Sequence, residues 1–251
     1  ELGSALVETI KTGKRKGAQI VTKKALEEKY GSKKKVAAIS QTEKNPQIFH
    51  NYIATIKAEP YNPLSHRQLA DAQGNAPIDW DQLLSDVVSL KPGKADAYLY
   101  ETAVQELLNA LFYPSLLDPV AQAEIENGTK RIDIRYRNFG ADPFFGHLLE
   151  AFKCRFIAVE CKNYGSEVSN PEIDQLAGRF SHMSGKCGIL VCREVTKRQR
   201  LLDRCRSTAA NRDGFIVVLD DRDLIEMVEH RRKEFEENPF ELVQRRFDEL
   251  F

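Results

Sequence analysis

Apolar and polar positions along the chain define two regimes that meet near residue 95. Downstream the pattern is strong. Tyr100, Val104, Leu107, Leu108 and Leu111 recur at helical spacing and predict an amphipathic helix over residues 97–112. Residues 120–125, 131–136 and 154–161 read as three strands, with Asn127-Gly128 as a turn between the first two. Residues 138–153, with Gly140, Pro143 and Gly146, read as an insertion. Pro171 opens a helix expected to reach about residue 184. Residues 188–192 and 215–219 are short, fully apolar runs, the mark of buried strands. A basic helix is expected between them. Two helices, near 221–235 and 239–250, close the chain, and Phe235, Phe240, Phe247 and Phe251 are expected to pack on the core. The fold class expected is α/β. Three strands form a meander, and two more, each following a helix, join through crossovers. The result is a mixed central sheet flanked by helices on both faces.

Upstream the pattern is weaker. Residues 1–60 read as polar, helical and irregular, with one helix ending at a cap on Gly31 and a mildly amphipathic segment at 47–57. Pro60, Pro63, Gly74 and Pro77 break the chain. Residues 65–70 and 78–90 predict two short helices, with nothing that marks one as a recognition helix. Lys91-Pro92-Gly93-Lys94 is the candidate linker. The expected division is a mostly helical N-terminal region, 1–94, for nucleic-acid or partner binding, and a second domain, 95–251.

Composition changes this picture little. The 251 residues are 42% hydrophobic and 29% charged, enough for a real core. The formal net charge is zero, so there is no global attraction to nucleic acid. Charge is uneven, however. Residues 11–35 set ten Lys and Arg against Glu27 and Glu28, and residues 193–212 set seven against Glu194 and Asp203. Such stretches are either local positive fields or ordinary solvated helix faces. Five cysteines, an odd count without a CxxC, read as buried thiols of a reducing compartment. No run approaches the roughly 18 apolar residues of a membrane span, and no signal peptide is visible. The expected location is the cytoplasm, without membrane partners.

The candidate chemistry lies at strand ends. Strands alternate their faces, so Glu160 and Lys162 project together and Cys161 projects opposite. Asp133 shares a strand face with Arg131 and Arg135, while Ile132, Ile134 and Tyr136 take the other. At roughly 100° per residue, Glu101 falls about 75° from the centre of its helix's apolar stripe and Glu106 about 145° away. Glu101 is therefore the acid of that helix expected to join a site. Taken alone, Glu160-x-Lys162 is explained by an ion pair. The joint order of Glu101, strand, Asp133, strand, Glu160-x-Lys162, helix is much more specific.

At this point residues 97–195 resemble the PD-(D/E)xK nuclease superfamily, its Mrr-like and restriction-endonuclease-like members above all. Tyr100-Glu101-x-x-Val104-x-x-Leu107-Leu108 is similar to the family's first helix. Ile132-Asp133 matches the place of its first acid, Val159-Glu160-Cys161-Lys162 its signature pair, and Ile173-Asp174-Gln175-Leu176 the helix that follows. Ile132 stands in place of the motif proline, and Arg179 in place of the tyrosine of a QxxxY pattern. The resemblance implies a restriction-endonuclease-like αβββαβ core and metal-dependent hydrolysis of DNA phosphodiesters. It implies that Asp133, Glu160 and the backbone carbonyl of Cys161 hold Mg²⁺ or Mn²⁺, that Lys162 orients a water or stabilises developing charge, and that Glu101 and Gln175 assist. Arg193, Lys197, Arg198 and Arg200 would contact backbone phosphates. Restriction, phage defence or repair, a homodimer, and a motor or sensor partner belong to the same expectation.

Two other functions fit the same residues: a non-catalytic nucleic-acid-binding or assembly module that keeps the fold, and an RNA nuclease. Cys187, Cys192 and His182 have the wrong spacing for a zinc finger. The stretch from Gly178 to Lys186 is too long for a phosphate loop and ends in Cys187 rather than Ser or Thr. His147 and Glu150 read as surface residues.

Overall fold

The structure is a computed structural model. It describes residues 7–9, 19–22, 27–28, 44–47, 50–51, 63–125, 128–165, 168, 170–181, 185–212, 214–232 and 240–251. The chain divides into two compact units, Glu1–Tyr61 and Asn62–Phe251. In the first, β1 (Val7–Thr9) pairs antiparallel with β2 (Gln19–Val21), where a helical and irregular region was expected. Glu27, Glu28, Gln47, His50 and Asn51 are helical. Gly31, the basic residues of 11–35, His182 and Phe235 lie outside the described residues.

The second unit carries α1 (His66–Gln73), α2 (Trp80–Val88) and α3 (Ala97–Phe112). Then follow β3 (Leu116–Ile125), β4 (Lys130–Asn138), α4 (Pro143–Ala151), β5 (Phe156–Lys162), α5 (Asn170–Ala177), β6 (Cys187–Cys192), α6 (Arg198–Arg212), β7 (Phe215–Leu219), α7 (Asp221–Arg232) and α8 (Glu241–Asp248). The sheet order is β3-β4-β5-β6-β7. The first two pairings are antiparallel and the last two parallel. The protein is thus α/β, with a five-stranded mixed sheet flanked by helices and preceded by helices.

Local chemistry accounts for the elements. Ser65 and Gln68 form a capping box on α1, which ends at Gly74 in the left-handed region. Asp79 caps α2. The expected stripe of α3 is wholly buried. The expected insertion at 138–153 instead contains α4. Asp142 accepts from the Phe144 and Phe145 N–H groups, and Pro143 occupies the first turn. Pro143, expected only as part of that insertion, is a helix start. β3 is longer than expected and slips register between Leu117 and Val120, with Pro119 accommodated on an edge strand. α5 stops at Ala177, short of residue 184, and α6 starts only at Arg198.

The expected boundary near residue 94 falls inside the second unit. Asn163, 4% exposed, donates to the carbonyls of Lys91 and Gly93 at 3.0 Å each, and its own carbonyl accepts the Gly93 N–H at 2.7 Å. The Lys91–Lys94 turn is fastened to the end of β5 and is no linker.

Strand alternation assigns the two faces of the sheet. Ile132, Ile134, Tyr136, Ile157 and Val159 form one face, and the Tyr136 hydroxyl donates to Asn109 of α3 at 2.7 Å. α5 and α6 cover the other face: Leu176 lies over Gly188, and Leu201, Leu202 and Cys205 meet Ile216 and Val218 around a small void. Among the described residues no helix is long and apolar enough to cross a membrane.

Candidate functional site

The site lies where β4 and β5 part. Their ladder runs from Arg137↔Phe156 to Ile134↔Val159 and stops. β4 continues to Lys130 paired with β3, and β5 continues to Lys162 paired with β6. Both outer ladders persist while the central one ends, so a gap opens inside the sheet. Asp133 and Glu160 are the next residues on the two strands. The Asp133 Oδ2 accepts the Cys161 N–H at 2.9 Å. The side chain thus satisfies a main-chain donor that the ended ladder leaves.

Glu160 is 1% exposed. Its Oε1 accepts from Lys162 Nζ at 2.8 Å and from Gln175 Nε2 at 2.6 Å. Lys162 also reaches Gln175 Oε1 at 3.4 Å. Glu160 Oε2 makes no hydrogen bond and faces Arg179 Nε at 3.4 Å, an ion pair without hydrogen-bond geometry. Strand alternation puts Glu160 and Lys162 on the face that α5 covers, which is why Gln175 meets both. Gly188 permits this approach: a Cβ there would stand 3.0 Å from Leu176 Cδ1 and Cδ2. Lys130 Nζ donates to the Gly178 carbonyl at 2.8 Å and ties the end of α5 to the start of β4.

Glu101 approaches from α3. Gln122 Nε2 on β3 donates to its carboxylate, and Arg131 donates to Gln122 Oε1 at 3.3 Å. The Asn163 clasp on the turn before α3 holds this helix against the end of β5. Glu101 is half-buried and within electrostatic reach of Asp133, Glu160 and Lys162. Glu106 is exposed, as helical phase predicts.

Burial is the main reason the Glu160 carboxyl lies above the usual carboxylate range. The Asp133 charge adds to the rise, and Lys162 and Arg179 oppose it. Burial likewise raises Glu101; the Gln122 hydrogen bond opposes this, and the charges of Asp133 and Glu160 add to it. Burial works to lower the Lys162 ammonium, but the hydrogen bond and charge of Glu160 outweigh it, so Lys162 stays protonated.

The four cations expected to touch phosphates divide. Arg193 donates to the carbonyls of Val87, Val88 and Leu90 at 2.9–3.1 Å and lies 3.3 Å from Asp221, with its side chain 10% exposed. Arg198 pairs with Asp220 and Asp223. Both are committed to the fold rather than presented to a ligand. Lys197 and Arg200 are exposed.

The structure therefore brings Glu101, Asp133, Glu160, Lys162 and Gln175 together. It adds three residues that sequence reading passed over. In the sequence Arg179 is only a departure from the QxxxY pattern. Gln122 has a signal in the β3–β4 register, which sets it beside Asp133. Asn163 had none, because its partners are main-chain atoms about 70 residues away. Among the described residues no three His, Cys, Asp or Glu side chains gather into a metal cage. The oxygen donors at hand are the Asp133 and Glu160 carboxylates and the Cys161 carbonyl. That set suits a hard cation of the Mg²⁺ type, which takes one or two carboxylates and keeps much of its water. The buried Glu160 Oε2, without a hydrogen bond, is the donor most in need of one. Compared with protein-family models, curated proteins and solved structures, the chain matches none.

Proposed function

We propose that this protein is a divalent-cation-dependent endonuclease that hydrolyses DNA phosphodiester bonds on a restriction-endonuclease-like αβββαβ core. One observation carries the reading. Two acids, Asp133 and Glu160, face each other across parted strands, with Lys162 on the same strand face as Glu160. Asp133, Glu160 and the Cys161 carbonyl would hold Mg²⁺ or Mn²⁺. When bound, the cation supplies Lewis-acid polarisation of the phosphate and lowers the pKa of a water.

The chain's own groups do the rest. Lys162, kept as an ammonium, orients water and stabilises negative charge rather than accepting a proton. Gln175 donates to Glu160 and accepts from Lys162, and so holds the two together. Glu101 is an acid held above the usual range beside the same gap, suited to hold a water through its carboxyl. Restriction, phage defence or repair, a cytoplasmic setting, a homodimer, and a motor or sensor partner are parts of the same reading.

A second reading has its own support. Glu160 is already faced by Lys162 and Arg179, as expected of a nuclease-like module that binds nucleic acid without cutting it. Incubation of plasmid DNA and of RNA with Mg²⁺ or Mn²⁺, beside Asp133→Ala and Lys162→Ala, separates the readings. DNA cleavage lost in both variants supports the endonuclease. DNA retention in a gel without cleavage supports the module, and cleavage of RNA alone makes the protein a ribonuclease.

A further inference from the structure

Resting on that reading, we infer that Arg179 is a positioning residue that occupies the cation side of Glu160 and yields it when a phosphodiester arrives, so that cation and nucleic acid bind cooperatively. The two oxygens of Glu160 are treated differently. Oε1 takes both hydrogen bonds, from Lys162 and Gln175. Oε2 takes none and meets only the charge of Arg179, at 3.4 Å. Removing a buried carboxylate oxygen from water without a hydrogen bond is costly, and an ion pair out of hydrogen-bond geometry offsets this only partly.

Arg179 lies just past the end of α5, beyond Gly178, whose carbonyl is held by Lys130. The backbone beneath it is thus anchored, and the side chain, 13% exposed, reaches from there to Glu160. A guanidinium fits a phosphate as well as a carboxylate. A phosphodiester at the gap offers Arg179 a second partner and releases Oε2, the oxygen a hard cation needs. Without the phosphodiester, Arg179 and the cation compete for one oxygen. With it, each helps the other.

Mn²⁺ binding measured by electron paramagnetic resonance, with no turnover, tests this. Wild type, Arg179→Met and Arg179→Lys are titrated with and without a duplex of phosphorothioate linkages. Arg179→Met, which keeps the aliphatic stem, should bind Mn²⁺ about tenfold tighter than wild type without duplex. The duplex should tighten wild-type binding by a similar factor and leave the Met variant unchanged. Arg179→Lys, which keeps the charge, should behave nearer to wild type. Equal or weaker Mn²⁺ binding by Arg179→Met overturns the inference. So does a duplex that fails to tighten wild-type binding, a comparison that needs no variant. Asp133→Asn separates this from the underlying reading: undiminished Mn²⁺ binding by that variant overturns the cation site itself, whatever Arg179 does.

Discussion

The Asp133 carboxylate accepts the main-chain N–H of Cys161 at 2.9 Å, at the point where the β4–β5 ladder has just ended. One acid therefore fixes the backbone that presents the next residue pair. The same contact aims the Cys161 carbonyl and the flanking Glu160 and Lys162 side chains, so geometry at Asp133 is felt across the site.

Asp133→Asn keeps an acceptor oxygen for the Cys161 N–H but removes the charge. The variant should fold with near-wild-type stability and lose divalent-cation-dependent cleavage. Lys162→Ala should lower kcat by about 10²–10³, the scale of one preorganised donor. Steady-state cleavage with thermal melts of both variants checks this. Unchanged cleavage by Lys162→Ala would exclude Lys162 from the proposed chemistry.

Arg193 and Arg200 should part company. Arg193→Ala leaves the Val87, Val88 and Leu90 carbonyls without their donor and should cost roughly 2–4 kcal/mol of stability. Arg200→Ala and Lys197→Ala should leave stability within about 0.5 kcal/mol. Each should weaken DNA binding and reduce its salt slope by about 1. Urea unfolding and salt-dependent binding isotherms read the two effects separately.

Gly188 sets the distance between α5 and the sheet. Gly188→Val drives a branched side chain into Leu176 and should cost about 1–3 kcal/mol. It should also lift Gln175 from Glu160. The expected signature is a lowered melting temperature with a further loss of activity that Gln175→Ala reproduces without the stability loss. Activity unchanged in both variants would remove Gln175 from the site.

Asp221 carries a pH dependence unrelated to catalysis. Burial pushes its carboxyl up to about 6; Arg193 and Tyr100 oppose the rise and Asp220 adds to it. The folded state thus binds this proton more tightly than the unfolded chain, where such an Asp titrates near 3.8. Stability from this group is full below that value, declines as pH rises toward 6, and is level above. Asp221→Asn cannot ionise and escapes the decline. Its stability relative to wild type should climb between pH 4 and 6, then flatten. Urea unfolding across pH 4–8 measures this, and a difference that ignores pH counts against it.

What the sequence determined by itself was periodicity and its consequences. The apolar stripe of α3, the two fully apolar strands β6 and β7, and the alternation that sets Glu160 and Lys162 on one strand face are local properties of neighbouring residues. Helical phase also separated Glu101 from Glu106 without any tertiary information. Tertiary structure decided what depends on groups far apart in the chain. The Asn163 clasp made the Lys91–Lys94 turn part of the sheet unit. Arg193 was drawn from a basic run onto main-chain carbonyls, and Arg179 from a failed motif match onto Glu160 Oε2. A charged side chain's role is set by the partner that meets it, and pairing across 70 to 100 residues leaves no mark in spacing or hydropathy. The gap at Asp133 and Glu160 has the same origin: two strands part only because each keeps its other neighbour.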